Sequence, residues 1–222
     1  MDNNLLESLV SQAEKLTLEI SINRAIKDPY YFLTEFCYTQ DEHWQHKKLE
    51  SPYNLIPKKE YIRDICDVFQ TEDLIAIEKT RQMMASWIFC GLALWDTMFK
   101  EGRRTFLMSK KEKDANALVE RCKFIYSKLP KELHEKYPRD PEKYLEMRWS
   151  KRNCIIQGVP EGADQVRSYT SSLILMDEAA FQEKSEKVFE AAQPSLTGGG
   201  KFVMISTPNG REFFWRTVYD QE

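Results

Sequence analysis

The sequence predicts an α/β protein built on a mostly parallel central sheet flanked by helices. Three observations carry this. Short apolar runs recur at 74–78 (LIAIE), 105–108 (TFLM), 154–157 (CIIQ), 173–176 (LILM) and 202–205 (FVMI). Segments with helical spacing lie between most of them, and parallel strands need such crossovers, which place helices on both faces. The segment 86–100 is apolar nearly all round (Trp87, Ile88, Phe89, Leu92, Leu94, Trp95, Met98, Phe99), as a helix buried against such a sheet must be.

Taken in order, residues 1–25 place Leu5, Leu6, Leu9, Val10, Ala13, Leu16 and Leu18 at roughly helical spacing, so a helix packing on the core or on a partner is expected. Residues 28–60 are aromatic and polar with Pro29, Pro52 and Pro57, which predicts short helices and loops; a helix follows at about 59–70. Gly102 sits just past the buried helix, as a C-terminal stop would. Ser109 and Glu112 in "SKKE" have the spacing of a capping box. Leu118, Cys122, Ile125 and Leu129 continue that helix, and Pro130 ends it. The triplet Gly198–Gly200 reads as a turn before the last strand. The expected organisation is an N-terminal helical and irregular segment over 1–68, packing on a core over 69–222.

Composition narrows the classes. The 222 residues are 42% hydrophobic and 30% charged, within the soluble globular range, with a net charge of −3 that gives no global nucleic-acid signature. Cys37, Cys66, Cys90, Cys122 and Cys154 are scattered singly, as reduced thiols are, and form no CxxC pair. His43, His46 and His134 make no convincing metal set. The longest apolar run, 87–95, is too short for a bilayer, and the acidic start has no signal-peptide pattern, so a cytoplasmic protein without membrane contact is expected.

The first strand runs into Lys79-Thr80-Arg81-Gln82-Met83-Met84-Ala85-Ser86 and then a helix. A phosphate-binding loop normally reads G-x-x-x-x-G-K-[ST], with glycines for backbone approach, a lysine for the β and γ charges and a hydroxyl on magnesium. Only Ser86 matches; Met84 stands for the second glycine and Ala85 for the lysine. Such a loop wraps around the phosphates, so Lys79 can supply the ammonium from its other end, with Arg81 as a second cation. The run "LILMDEAAF" brings an apolar strand to Asp177-Glu178. One carboxylate near a metal and one just beyond it is what in-line attack of water on a terminal phosphate requires. A third strand ends in Ser206-Thr207 before a Pro-Asn-Gly turn, where small hydroxyls can sense that phosphate.

The motifs "EKTRQMMAS", "LILMDEAAF" and "ISTPNG", followed by "REFFW", resemble the ATPase domain of a tailed-bacteriophage terminase large subunit. "YTQDEH" (38–43) and "IPKKEYIRDI" (56–65) are similar to upstream segments of that family, so the resemblance spans most of 38–216. It implies a RecA-like, ASCE-type P-loop fold and an ATP-hydrolysing, Mg²⁺-dependent motor that packages double-stranded DNA. Lys79 and Arg81 then contact phosphates within the loop 79–86, Arg81 also serving catalysis. Ser86 and Asp177 hold Mg²⁺, Glu178 activates water, and Ser206 and Thr207 couple hydrolysis to movement. Arg167 occupies the place of a family arginine that reaches toward a neighbouring subunit's ATP. At the place of the family's adenine-reading glutamine stand Tyr61, Ile62 and Arg63, of which Tyr61 or Arg63 can stack; Gln45 is a further candidate.

The resemblance also implies the portal protein and the terminase small subunit as partners, self-assembly into a ring on the portal, and the cytoplasm of the infected host cell. The chain is expected to be the motor domain alone, without the family's C-terminal nuclease. Candidate DNA-backbone contacts are Lys100, Arg103, Arg104, Lys110, Lys111 and Lys113. Two other readings compete: a helicase-like nucleic-acid-dependent ATPase, and a degenerate P-loop module that binds without turnover.

Overall fold

The computed structural model describes residues 3–81, 83–162, 166 and 169–220. Two helices, α1 (Asn3–Lys27) and α2 (Pro29–Phe36), open the chain. Asp28 caps α2 by accepting from the Tyr31 N–H at 3.0 Å, and Pro29 stands at its first position, where a missing N–H costs nothing. A small antiparallel pair follows, β1 (Tyr38–Gln40) with β2 (Tyr53–Leu55), and then α3 (Glu60–Thr71). The chain next alternates: β3 (Leu74–Glu78), α4 (Ala85–Phe99), β4 (Arg104–Ser109), α5 (Glu112–Ser127), α6 (Lys131–Lys136), β5 (Glu146–Trp149), β6 (Cys154–Pro160), β7 (Leu173–Asp177), α7 (Ser185–Thr197), β8 (Lys201–Ser206) and α8 (Phe213–Tyr219).

Six of these strands form one sheet in the order β3-β8-β7-β4-β6-β5. All neighbours run parallel except β5, which pairs antiparallel with β6 at the edge. Strand side chains alternate between faces, and both faces are buried. Leu107, Leu173, Leu175, Val203 and Ile205 pack with α4 and α5. Phe106, Met108, Ile174, Met176, Phe202 and Met204 pack with Val188 and Ala192 of α7 and Phe214 of α8. The apolar run of 86–100 is α4, buried between sheet and α2. Gly91 permits that approach, because a Cβ there would run into Leu33 of α2. Among the described residues, no helix is long and apolar enough to cross a membrane.

Several local expectations change. Helix α1 meets the core through its C-terminal half, where Leu18 packs against it, Ile22 and Ala25 are buried and Trp95 Nε1 donates to the Ala25 carbonyl at 2.9 Å. Leu9, Leu16 and Ile20 stay more than half exposed, because the helix extends past the surface that would cover them. The Ser109–Glu112 capping box does not form. Strand pairing continues through Ser109, opposite Pro160, so the chain needs Lys110 and Lys111 to leave the sheet, and α5 begins only at Glu112. Its first-turn Glu112 and Asp114 favour the positive helix end instead. Helix α4 stops at Phe99 with Lys100 in extended conformation; Gly102, at φ 66°, serves the turn into β4 rather than the helix cap. His43 and His46 lie exposed in a turn at 42–48 and share no helix face.

The last turn of α4 places the Asp96 carboxylate in the interior, at the helix end where a negative charge is least favoured. Lys100 Nζ at 2.5 Å and Arg103 Nε at 2.8 Å offset this and tie α4 to the turn before β4. Asp96→Ala is expected to cost about 3 kcal/mol, since it leaves the Arg103 guanidinium without its anion. Urea denaturation checks this; an unchanged midpoint would show the pair to be dispensable.

Candidate functional site

Register and pleat deliver the site. Residues 75, 77 and 79 share one face of β3 and its extension, as 173, 175 and 177 do on β7. Ile75, Leu173 and Leu175 pack toward α4, so Lys79 and Asp177 point to the α4 side at the C-terminal strand tips. The Lys79 N–H donates to the Ser206 carbonyl at 2.9 Å, continuing the β3–β8 ladder one residue further. β8 lies between β3 and β7, so the tips carrying Lys79, Ser206 and Asp177 are consecutive across the sheet.

Lys79 is almost wholly buried, and its Nζ lies 2.7 Å from Glu178 Oε1. Ser86, in the first turn of α4, places its Oγ 3.1 Å from both oxygens of Asp177. Glu178 adopts a left-handed conformation (φ 52°, ψ 48°), which turns its side chain away from the strand alternation and toward β8. There its Oε2 accepts from the Thr207 N–H at 3.2 Å and the Thr207 hydroxyl at 3.3 Å, with Ser206 Oγ at 3.4 Å. Ser206 Oγ also accepts from the Ala180 N–H at 3.1 Å, fixing the turn that follows the acids.

Met84, which stands where a phosphate loop has glycine, takes the conformation glycine favours (φ 53°, ψ 16°) and starts α4. No side chain caps α4, so its first-turn N–H groups point out of the helix at the site. Thr80 and Met83 shape the loop through a hydrogen bond from the Met83 N–H to the Thr80 carbonyl at 3.4 Å. Arg81 lines a cavity of about 390 Å³ together with Asp177, Glu178 and Thr207.

The two acids are pushed apart. Burial raises the Asp177 carboxyl above its ordinary value; Glu178 adds to this, and Lys79 and the Ser86 hydroxyl oppose it without cancelling it. Burial also pushes Glu178 up, but the hydrogen bonds and charge of Lys79 and the Thr207 N–H hold it below its ordinary value. The site offers hard oxygen donors, one on a desolvated carboxylate, which is the donor type Mg²⁺ takes. Ser86 and Asp177 could offer a cation two donors, which suits one that takes the rest of its ligands from water or a substrate. Among the described residues no group of three His, Cys, Asp or Glu side chains could hold a metal.

Some expected residues stand elsewhere. Arg63 lies over the Tyr30 ring, 4.0 Å from its centroid, and Tyr61 packs against the core; neither lines the cavity, nor does Gln45. Gln82 and Arg167 lie outside the described residues. The basic candidates form no single patch, because strand direction sends them to opposite poles. Lys100, Arg103 and Arg104 sit where β4 begins, the first two engaged with Asp96, whereas Lys110 lines the cavity where β4 ends. A second cavity, about 270 Å³, opens at the opposite pole beside Arg104 and Arg148 and holds none of the expected nucleotide- or metal-site residues.

Sequence reasoning missed three contributors. Gln182 Nε2 donates to the Asp177 carbonyl at 2.8 Å, and Asn209 Nδ2 to the Ala180 carbonyl at 3.1 Å, so both brace the acidic turn. Arg121 of α5 lines the cavity. Its signal was present: Asp114, Ala117 and Arg121 follow at three and four, beside the buried stripe of Leu118, Cys122 and Ile125.

A parallel sheet with a strand–loop–helix at one tip and acids two strands away is an α/β, RecA-like fold. Comparison with solved structures gives that fold in phage large terminases. The chain matches the large terminase ATPase domain of Thermus phage P74-26 at 19% identity and TM-score 0.58, over 81% of this chain and 73% of that one. It matches the HK97 bacteriophage large terminase at 11% identity and TM-score 0.66, over 88% of this chain and 40% of that one. At these identities the likeness is one of fold. No family model matches the sequence, and neither does any curated protein.

Two stability outcomes follow. Met84→Gly is expected to stabilise the fold by about 1 kcal/mol, since a side chain at positive φ is strained and glycine there is not. A lower thermal midpoint would show that the Met84 side chain contributes more than its backbone costs. Asp177→Asn is also expected to raise the midpoint at neutral pH. With its folded pKa above its unfolded one, Asp177 destabilises the fold once pH exceeds the raised value, and not below the ordinary carboxylate range. The gain should therefore vanish on acidification; a pH-independent gain would assign it to something other than the charge.

Proposed function

We propose that the chain is the ATP-hydrolysing motor domain of a tailed-phage DNA-packaging machine, driving double-stranded viral DNA into a procapsid. One observation carries this reading. An ammonium, a helix-borne hydroxyl and two carboxylates of opposite pKa displacement converge within hydrogen-bond distance where β3 and β7 end and α4 begins. The fold, shared with large-terminase ATPase domains, supports the same reading.

The triphosphate lies along the loop 79–86, against Lys79, Arg81 and the N–H groups that begin α4. Ser86 and Asp177 are the residues that would hold Mg²⁺, which would supply positive charge against the phosphates. Glu178 accepts the proton of the attacking water. The water oxygen attacks the terminal phosphorus, the bond to the bridging oxygen breaks, and ADP and phosphate leave. Before that, the Lys79–Glu178 pair must open, because a carboxylate paired with an ammonium and held by Thr207 is a poor base. ATP has the charge to draw Lys79 away, so binding readies the base. Glu178 and its hydroxyl partners form one network, so loss of the terminal phosphate reaches Ser206 and Thr207 directly and makes them the coupling residues.

In the assembled machine we place Arg167 toward a neighbouring subunit's ATP, in a ring on the portal protein, with the terminase small subunit delivering DNA in the infected cell's cytoplasm. Residues 69–222 are the motor core in this reading, and 1–68 an appendage packed on it.

Glu178→Gln is expected to lower ATP turnover by about 10²–10⁴. It should also tighten Mg·ATP binding, because Lys79 no longer faces a carboxylate. Hydrolysis assays with and without duplex DNA, beside direct nucleotide titration, test both. Wild-type turnover in the variant would remove Glu178 from the chemistry.

A further inference from the structure

The far wall of the cavity carries a cation that the mechanism above leaves unused. Arg121 sits on the α5 stripe with Asp114 and Ala117, and all three line the cavity of about 390 Å³ that Arg81, Asp177 and Glu178 share. Its side chain is half-buried, and among the described residues no carboxylate pairs with it. Its aromatic contact is Trp87, with the ring centroid 5.6 Å away. Lys79 has Glu178, Arg103 has Asp96 and Lys123 has Glu120, whereas half-buried Arg104 stacks on the Tyr169 ring at the opposite pole, away from the acids. Arg121 is close enough to Asp177 for its charge to favour the ionised carboxylate. A partly desolvated guanidinium without an anion, facing a cavity, is suited to an anion that arrives from outside. Its planar fork fits phosphate oxygens in particular.

We infer that Arg121 is a further catalytic residue, contacting the terminal phosphate of the bound nucleoside triphosphate from the wall opposite the loop. The inference rests on the nucleotide-hydrolysis reading. Lys79 and the α4 N-terminus hold the triphosphate from the β3 side; Arg121 approaches from the α5 side, on the same chain. Charge spreads over the terminal phosphate's equatorial oxygens as water adds and the bridging bond breaks, and a cation on the open side stabilises that state more than the ground state. Each chain then carries its own charge-stabilising arginine, separate from any residue a neighbour supplies.

The test compares the full chain with Arg121→Ala and Arg121→Gln. It measures kcat, KM, Mg·ADP affinity, affinity for ADP with aluminium fluoride, and thermal midpoint. The expected result is a kcat lower by about 10²–10³ with Mg·ADP affinity within about twofold, and loss of the tight aluminium fluoride complex. The glutamine variant keeps the stem and a polar end, so it gives the reading if the alanine variant folds poorly. A kcat within about threefold of wild type, or a loss of midpoint alone as the Trp87 contact would give, overturns the assignment. If wild type hydrolyses ATP and the variants match it, only Arg121 is dismissed. If wild type binds no Mg·ATP, the nucleotide reading falls with it.

Discussion

Two carboxylates and one ammonium held at the mouth of a parallel sheet set the terms for the rest of this molecule. Asp177 and Glu178 are adjacent in sequence, and Lys79 gives its nitrogen to only one of them. Asp177 is left with the Ser86 hydroxyl, which offers one proton to two oxygens. Within hydrogen-bond reach, then, one ammonium serves two carboxylates, and burial outweighs the more distant charges of Lys79 and Arg121 at Asp177. A cation and a polyanion entering together would change every term at once. The cation meets Asp177, the polyanion takes Lys79, and Glu178 is released. A site balanced in this way would favour binding the two as a unit.

The opposite pole shows how a sheet protein treats a buried acid that needs to do nothing. Asp96 is more deeply buried than Asp177, yet it has two cations on it. The same residue type is satisfied where α4 ends and left short where α4 begins. α4 thus joins a closed ion-pair cluster to an open one, and its nearly all-apolar surface fixes the distance between them.

Much of the frame was legible in the sequence, because a strand buried on both faces is an unbroken apolar run. The five strand runs, the apolar helix and the acidic strand tip all announced themselves in this way. The edge strand β5, with Glu146 and Arg148 alternating with Met147 and Trp149, did not, since four residues are too few to separate a pattern from chance. Nor did the three-residue pair β1–β2. At the site, Lys79 and the acids follow from where strands end. Gln182, Asn209 and Arg121 depend on how a turn folds back and which way a helix faces, and neither is local in sequence. The Ser109 capping box misled because strand pairing extended one residue beyond the apolar run, through Ser109 itself.

The missing glycines of the loop are the deeper puzzle, and the backbone answers part of it. A phosphate loop uses glycine to reach conformations that L residues resist, and here that conformation is imposed on Met84 instead. Glu178 is left-handed as well, with a carboxylate that must turn off its strand to meet both Lys79 and Thr207. Of the five non-glycine residues at positive φ among the described residues, these two belong to the same site. Strain of this kind persists only where surrounding contacts hold it. At Glu178 the holding contacts are the Lys79 pair and the Thr207 hydrogen bonds; at Met84 they are the helix it starts, through the Ile88 N–H bond to its carbonyl at 3.0 Å. The contacts that strain Glu178 are the ones a bound triphosphate would break, whereas those at Met84 belong to the rigid helix. In the proposed reading the loop would stay fixed while the acidic turn moved, and the strained Glu178 turn, one strand from the hydroxyls of β8, would be where binding energy first became motion.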